Sequence, residues 1–537
     1  RNFTYNAQHQ LENETIPHIM SLQNSFTYDN LGRRTLRVLQ LDNIAIASAG
    51  RSYDTFGRVA TVSNGTDTLS YTYRPGGLLS LSGWTNAQNA AMSNQSYEYD
   101  QYNRLIGIKL NNVNEVSYTL NVKDQRTAAT YANAGLWNFT YDDKGQVTGA
   151  NGSNNSYTYS YDGIGNRLTA DENSTVTNYA SNLLNQYTQI NNAVPNYDAD
   201  GNMTNSGNGW TYSYNGENRI TQATNGGTTV LMAYDYAGRR ISKIVTESGV
   251  VQASYKYVYD DFKLIAVYNN NDLVMTFTWQ PESLGMDVPV SMSYAGATYY
   301  YVTDGNKNVT ALLDAEGNRV AEYVYGPFGQ TVSATGAMAQ INPFRFSSEF
   351  HDDETGLIYY NYRYYSPELG RWTKRDPIEE DGGCNLYTIV NNTAVNLVDK
   401  NGKIPLATKI VTRLLGRISK AILFGFSGIV HNYDSYSDPI IFYDDDRELE
   451  KFSHSPAEKE IKANVVSQPL TRKFITLSID KFNAVKEYGH EGVFTSFTDF
   501  PSTGWWLAST AVYMMDVEYK AKCKNGFVYY KDVKNKI

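Results

Sequence analysis

At 537 residues the chain has room for two to four ordinary domains, or for one long repeat array with an appendage. Forty-five Tyr against 20 Phe and 7 Trp, with 41 Gly against 14 Pro, describe extensive β-sheet with a wet face and turns of the Gly and Asn kind. A formal net charge of -9 excludes nucleic-acid binding by the chain as a whole, and two cysteines, Cys384 and Cys523, exclude a disulfide scaffold.

The chain opens Arg1-Asn2-Phe3-Thr4-Tyr5, without an initiator Met or an apolar signal run. It reads as a piece of something longer, with any export signal or delivery domain upstream. From there the pattern Tyr-Asp-x-x-Gly recurs at Tyr28, Tyr53, Tyr141, Tyr161, Tyr197 and Tyr234. Degenerate copies stand at Tyr73, Tyr99, Tyr118, Tyr214 and Tyr259, giving a period near twenty to twenty-five residues. Such a period marks a repeat architecture. Each copy reads as a hairpin. In Tyr157-Thr158-Tyr159-Ser160-Tyr161, Tyr alternates with small hydroxyl residues, the period-two signature of a strand with two unlike faces. Asp162 then bonds turn amides, Gly165 supplies a positive φ, and Asn166-Arg167-Leu168-Thr169 begins the return strand.

The repeats give way to residues 363–403, where Arg363, Asp376 and Asp399 stand among tight turns and aromatic strands at a change of composition. Two carboxylates and a guanidinium at such a boundary suggest a site that acts on the boundary. Asp376 in Arg-Asp-Pro and Asp399 before Lys-Asn-Gly also suit plain turn positions, and Arg363 among tyrosines suits stacking on a strand.

Residues from about Tyr5 to Lys403 resemble the YD-repeat or RHS-repeat family. The text YYYVTDGNKNVTALLDAEGNRVAEYVYGPFGQ from Tyr299, followed by PFRFSSEFHDDETGLIYYNYRYYSPELGRWTKRDPI, is similar to the core of bacterial Rhs polymorphic toxins and of the C components of ABC toxin complexes. The resemblance implies a mainly β fold in which a β-ribbon spirals into a hollow shell around a C-terminal toxic polypeptide. Residues 1–298 would be repeats, 299–403 the RHS-associated core that closes the shell, and 404–537 the variable effector. The 13-residue and 23-residue spacings of Arg363, Asp376 and Asp399 resemble those of the family's self-cleaving aspartyl protease. The implied scissile bond is Lys403-Ile404. One buried carboxyl would keep its proton as general acid, the other would activate water, and Arg363 would hold a carboxylate ionised. No cofactor is implied. The implied partners are the enclosed effector itself, a secretion or delivery apparatus and a cognate immunity protein, and the implied location is outside the producing bacterial cell. The chain departs from the family pattern beside the bond: Asp399-Lys400-Asn401-Gly402-Lys403 stands for the usual Asp-Pro-x-Gly-Leu, Thr393 replaces a proline, and Glu379-Glu380-Asp381 is insertion-like. Loss of proline is expected to loosen the cleavage strand.

Past Ile404 the repeat disappears. Residues 408–430 fit an amphipathic basic helix, 439–443 a strand, 457–463 a helix, and 474–479 and 517–520 further strands, together a small α+β domain. His431, His454 and His490 are the effector's candidate chemistry, with Asp434, Asp438 and Asp444 nearby. A metal-assisted nuclease and histidines that merely face solvent both fit, and no metal-ligand spacing is present. Three functions of different class remain open from sequence: a self-cleaving toxin shell, a non-cleaving interaction shell, and a chain defined by an enzymatic terminal domain.

Overall fold

The computed structural model of the protein describes residues 2–19, 21–284 and 287–403, together with the backbone of 405–406, 517–524 and 527–535. The chain divides into two compact units, Arg1–Gly425 and Phe426–Ile537. In the first, eighteen strands from Phe3–Tyr5 to Tyr187–Ile190 form one antiparallel meander, and fourteen from Asn196–Tyr197 to Thr331–Thr335 form another. A four-stranded sheet of Phe350–Asp352, Leu357–Tyr359, Tyr364–Ser366 and Arg371–Trp372 follows, and Val398–Asp399 then pairs with Pro405–Leu406. No α-helix occurs among the described residues. In the second unit, Val517–Lys524 pairs antiparallel with Phe527–Asn535, so the strand expected near 517–520 is present. The other elements expected after Ile404 lie outside the described residues.

The expected hairpin is seen in atomic terms at residues 161–166. The Asp162 N–H donates to the Asn166 carbonyl at 2.9 Å, and Gly165, at φ +90°, returns its N–H to the Asp162 carbonyl. Asp162 Oδ1 accepts the N–H groups of Ile164 and Asn166 at 3.0 and 2.8 Å, and Oδ2 accepts Asn166 Nδ2 at 2.9 Å. A short carboxylate reaches its own turn amides without competing with a ladder, which is why Asp or Asn stands here. Where glycine is missing, Asn103 and Asn218 adopt the left-handed conformation that Asn tolerates.

The tyrosine ties one hairpin to the one before it. A shift in strand register at Ser160/Tyr161 re-aims the ring, and Tyr161 Oη donates to the Val147 carbonyl at 2.7 Å, where the previous return strand begins. Tyr53, Tyr73 and Tyr234 do the same to Arg34, Val59 and Ile220. Arg33 and Arg58, at the last position of their turns, lie over the next Tyr ring at 4.2 and 4.3 Å.

Two differences from the sequence reading follow the same chemistry. Asn182, outside the pattern, builds the same turn, its Oδ1 accepting Leu184 and Gln186 N–H. The degenerate copy at Tyr259 is instead a two-residue turn, with Asp260 opposite Lys263. Asp260 leaves the turn to pair with Arg34 at 2.8 Å and approach Arg37 at 3.9 Å.

The closing segment grips the repeats through their turns. Asn392 Nδ2 donates to the Gly165 carbonyl at 2.7 Å, Asn385 Nδ2 to Asn166 Oδ1 at 2.8 Å, and Tyr387 Oη to the Gly201 carbonyl at 2.7 Å. Arg240 lies fully buried against Tyr359 and Phe350 and pairs with Asp352, which also accepts Lys243 Nζ at 3.0 Å.

If Tyr161 and Asp162 act as described, Tyr161→Phe should cost about 1 kcal/mol and Asp162→Ala about 1–2 kcal/mol in urea unfolding of the first unit. Unchanged midpoints for both would contradict this reading of the turn.

Candidate functional site

Arg363 leaves a loop between the strands Leu357–Tyr359 and Tyr364–Ser366 and lays its guanidinium over the Trp372 indole at 4.1 Å. Arg363 Nη2 stands 2.8 Å from Asp376 Oδ2 and 3.4 Å from Asp399 Oδ2. Its Nε donates to the Gly402 carbonyl at 2.6 Å, and Nη1 points to the Leu386 carbonyl at 3.5 Å. The three residues singled out in the sequence therefore share one buried point, with exposures of 2%, 7% and 2% for Arg363, Asp376 and Asp399.

The chain then folds back over Asp399. Asp399 Oδ1 accepts the N–H groups of Asn401, Gly402 and Lys403 at 3.2, 2.8 and 3.1 Å. Tyr362 N–H meets the Asn401 carbonyl at 3.2 Å. The loop expected to be loosened by loss of proline is thus pinned by one carboxylate, one guanidinium and one amide. Gly402 has φ +83°, and a Cβ there would meet the Tyr360 carbonyl at 3.0 Å. The insertion-like acidic run forms a short 3-10 turn, Glu379–Gly382, over Asp376. A Cβ on Gly382 would stand 2.6 Å from Asp376 Oδ2. Asp376 Oδ1 accepts Ile378 N–H at 3.1 Å.

Burial decides the acidities. It pushes the Asp376 carboxyl up to about 6, against the opposing pull of Arg363. It also raises Asp399, against Arg363 and the three loop amides. Burial lowers the Arg363 guanidinium despite both carboxylates. Lys374, two residues before Asp376, is lowered to about 8 by burial and by Arg363 and Arg219. Lys403 extends its Nζ over the Tyr362 ring at 3.6 Å and is lowered by burial. Sequence reasoning missed Lys374, Gly382 and Gly402. The two glycines were visible as turn signals, whereas nothing local marks Lys374 as buried. Ile404, His431, His454 and His490 lie outside the described residues.

The Teneurin YD-shell family matches residues 98–395, more than half of the sequence. The chain belongs to the Teneurin YD-shell family. This YD-shell chain is 32% identical over 261 residues to the tRNA3(Ser)-specific nuclease WapA of Bacillus spizizenii, a match covering 45% of the chain and 11% of that protein. It is 37% identical over 98 residues to the toxin subunit YenC2 of Yersinia entomophaga, covering 18% of the chain and 10% of that subunit. The Photorhabdus luminescens Tc holotoxin pore, in a TccC3-mutant form, shares the fold with a TM-score of 0.53 and 21% identity, over 75% of this chain and 21% of that one. The matches to WapA and YenC2 each span about a tenth of those proteins.

Arg363→Met would leave two buried carboxylates without their cation and should cost about 3–5 kcal/mol in urea unfolding. A loss under about 1 kcal/mol would show that the guanidinium does not hold the site together. Because the Asp376 carboxyl holds its proton more tightly in the folded chain, its contribution to stability is present below about pH 4 and is lost as pH rises through about 6. Asp376→Asn should flatten that fall in a pH series of unfolding midpoints.

Proposed function

We propose that this YD-shell chain closes an Rhs-type toxin shell and frees its C-terminal effector, residues 404–537, by hydrolysing its own Lys403-Ile404 bond. The observation that carries this reading is the binding of Asp399 Oδ1 to the Lys403 N–H while Arg363 Nη2 holds both carboxylates. A candidate acid and base are therefore tethered to the residue whose carbonyl would be attacked.

The roles follow from the contacts of the two carboxylates. Asp399, held against Arg363 and three amides, takes a proton from water. The water oxygen attacks the Lys403 carbonyl carbon. Asp376, which keeps its proton up to about pH 6, delivers it to the leaving nitrogen. The carbon–nitrogen bond breaks, leaving a carboxylate on Lys403 and an amine on Ile404. Arg363 Nε, bonded to the Gly402 carbonyl, fixes the preceding peptide plane. Because the substrate is held in the same chain, a single slow turnover suffices. The likeness to the toxin subunit YenC2 supports a toxin role, with the effector as enclosed cargo, a delivery apparatus that exports it, and an immunity protein that protects the producer.

On a denaturing gel the wild-type chain should run as two fragments of about 45 and about 15 kDa, in proportion to 403 and 134 of its 537 residues and 60.3 kDa. Asp376→Asn and Asp399→Asn should each give one band, and cutting should slow as pH rises past about 6. An intact wild-type band after prolonged incubation would sink the proposal.

A further inference from the structure

The acidic run Glu379-Glu380-Asp381 has no role in the chemistry above, and all three residues are exposed. What the run brings to the site is its backbone, which is wound about Asp376. Ile378 N–H donates to Asp376 Oδ1 at 3.1 Å, and Glu379 N–H donates to the Asp376 carbonyl at 3.1 Å. Glu379 then takes φ +54°, a left-handed conformation that costs a residue with a side chain strain. The turn closes with Asp381 N–H on the Ile378 carbonyl at 3.3 Å and Gly383 N–H on the Glu380 carbonyl at 3.1 Å, which returns Gly382 to the carboxyl where it began. A Cβ on Gly382 would stand 2.6 Å from Asp376 Oδ2, 2.9 Å from its Cγ and 3.4 Å from Ile378 Cγ1. Gly382 lies outside the left-handed region, so glycine is needed here for space alone.

Oδ2 is also the oxygen that meets Arg363 Nη2 at 2.8 Å. The carboxyl is therefore fixed at Oδ1 by an amide, at Oδ2 by the guanidinium, and on a further side by the Gly382 backbone. The other charged groups facing it are Asp399, which shares Nη2 at 3.4 Å, with Lys374 and Lys403. We infer that the turn Glu379–Gly382 is a clamp on the proton donor, with Gly382 as the positioning residue whose missing side chain lets the backbone close over Asp376 and hold it on Arg363. The inference rests on the proposed cleavage. A backbone this close also leaves no room for water on that side of Oδ2. The clamp thus supplies part of the burial that lets Asp376 keep its proton up to about pH 6.

The test uses the full chain, made by cell-free synthesis at mildly alkaline pH and transferred to a series of lower pH values, with cutting followed on a denaturing gel. Gly382→Ala should slow cutting roughly a hundredfold, the effect of displacing a reacting group by about 1 Å. It should also move the fall in cutting to lower pH, because a carboxyl pushed into water gives up its proton sooner. A turn shortened by removal of Glu380 and Asp381 adds no atom beside Asp376 and should show the same two effects, so the variant that keeps the wild-type urea midpoint decides. Glu380→Ala and Asp381→Ala, which alter only outward side chains, should cut as wild type does at every pH. Wild-type cutting by the folded Gly382→Ala or shortened chain, slowing with an unmoved pH profile, or equal slowing in Glu380→Ala or Asp381→Ala would each overturn the inference and leave the cleavage reading in place. A wild-type chain that never cuts would overturn both.

Discussion

The bond from a tyrosine hydroxyl to the carbonyl one hairpin back is the constraint on which the rest of this molecule depends. Each such bond is worth only about 1 kcal/mol. In a repeat array, however, stability accumulates through nearest neighbours, and the same bond recurs from Tyr28 to Tyr325. Asp or Asn fixes each turn from within, and Tyr fixes its distance to the previous turn. A ribbon built this way presents its turns at a set spacing, and the closing segment uses that spacing. Asn385 and Asn392 reach the turn of 162–166, and Tyr387 reaches Gly201 of the turn that follows Tyr197.

That grip explains how so many charges are buried at the end of the chain. Arg240 pairs with Asp352, 112 residues away, Lys307 with Asp287, 20 away, and Arg363 with Asp399, 36 away, and with Asp376. Buried pairs of this kind add little net stability, because desolvation offsets their attraction. A wrong alignment would strand a charge, so they hold the closing segment in one register. The candidate site is one member of this set, distinguished by having two carboxylates for one guanidinium and by carrying a backbone loop on the second of them.

The repeat was legible because its chemistry is local: Asp162 bonds amides two and four residues on, and Gly165 needs no distant partner to adopt its φ. The Tyr259 copy misled because Asp260 serves Arg34, 226 residues away, and no local pattern encodes that pairing. At the junction, Arg363, Asp376 and Asp399 were found by residue type and spacing, and the geometry brings them together. The burial of Lys374 was not legible, since nothing in the sequence beside it marks it as buried. Nor was the tightness of the loop at Lys403. It follows from a single carboxylate oxygen collecting three amides, which a Lys-Asn-Gly-Lys sequence does not reveal by composition.

The measurement that tests the central claim most directly is the intact mass of the denatured, purified wild-type chain, with N-terminal sequencing of the smaller species. The result expected is a fragment whose sequence begins Ile404-Pro405-Leu406, beside a shell fragment ending at Lys403. One unbroken species, or a fragment starting at any other residue, would contradict the account.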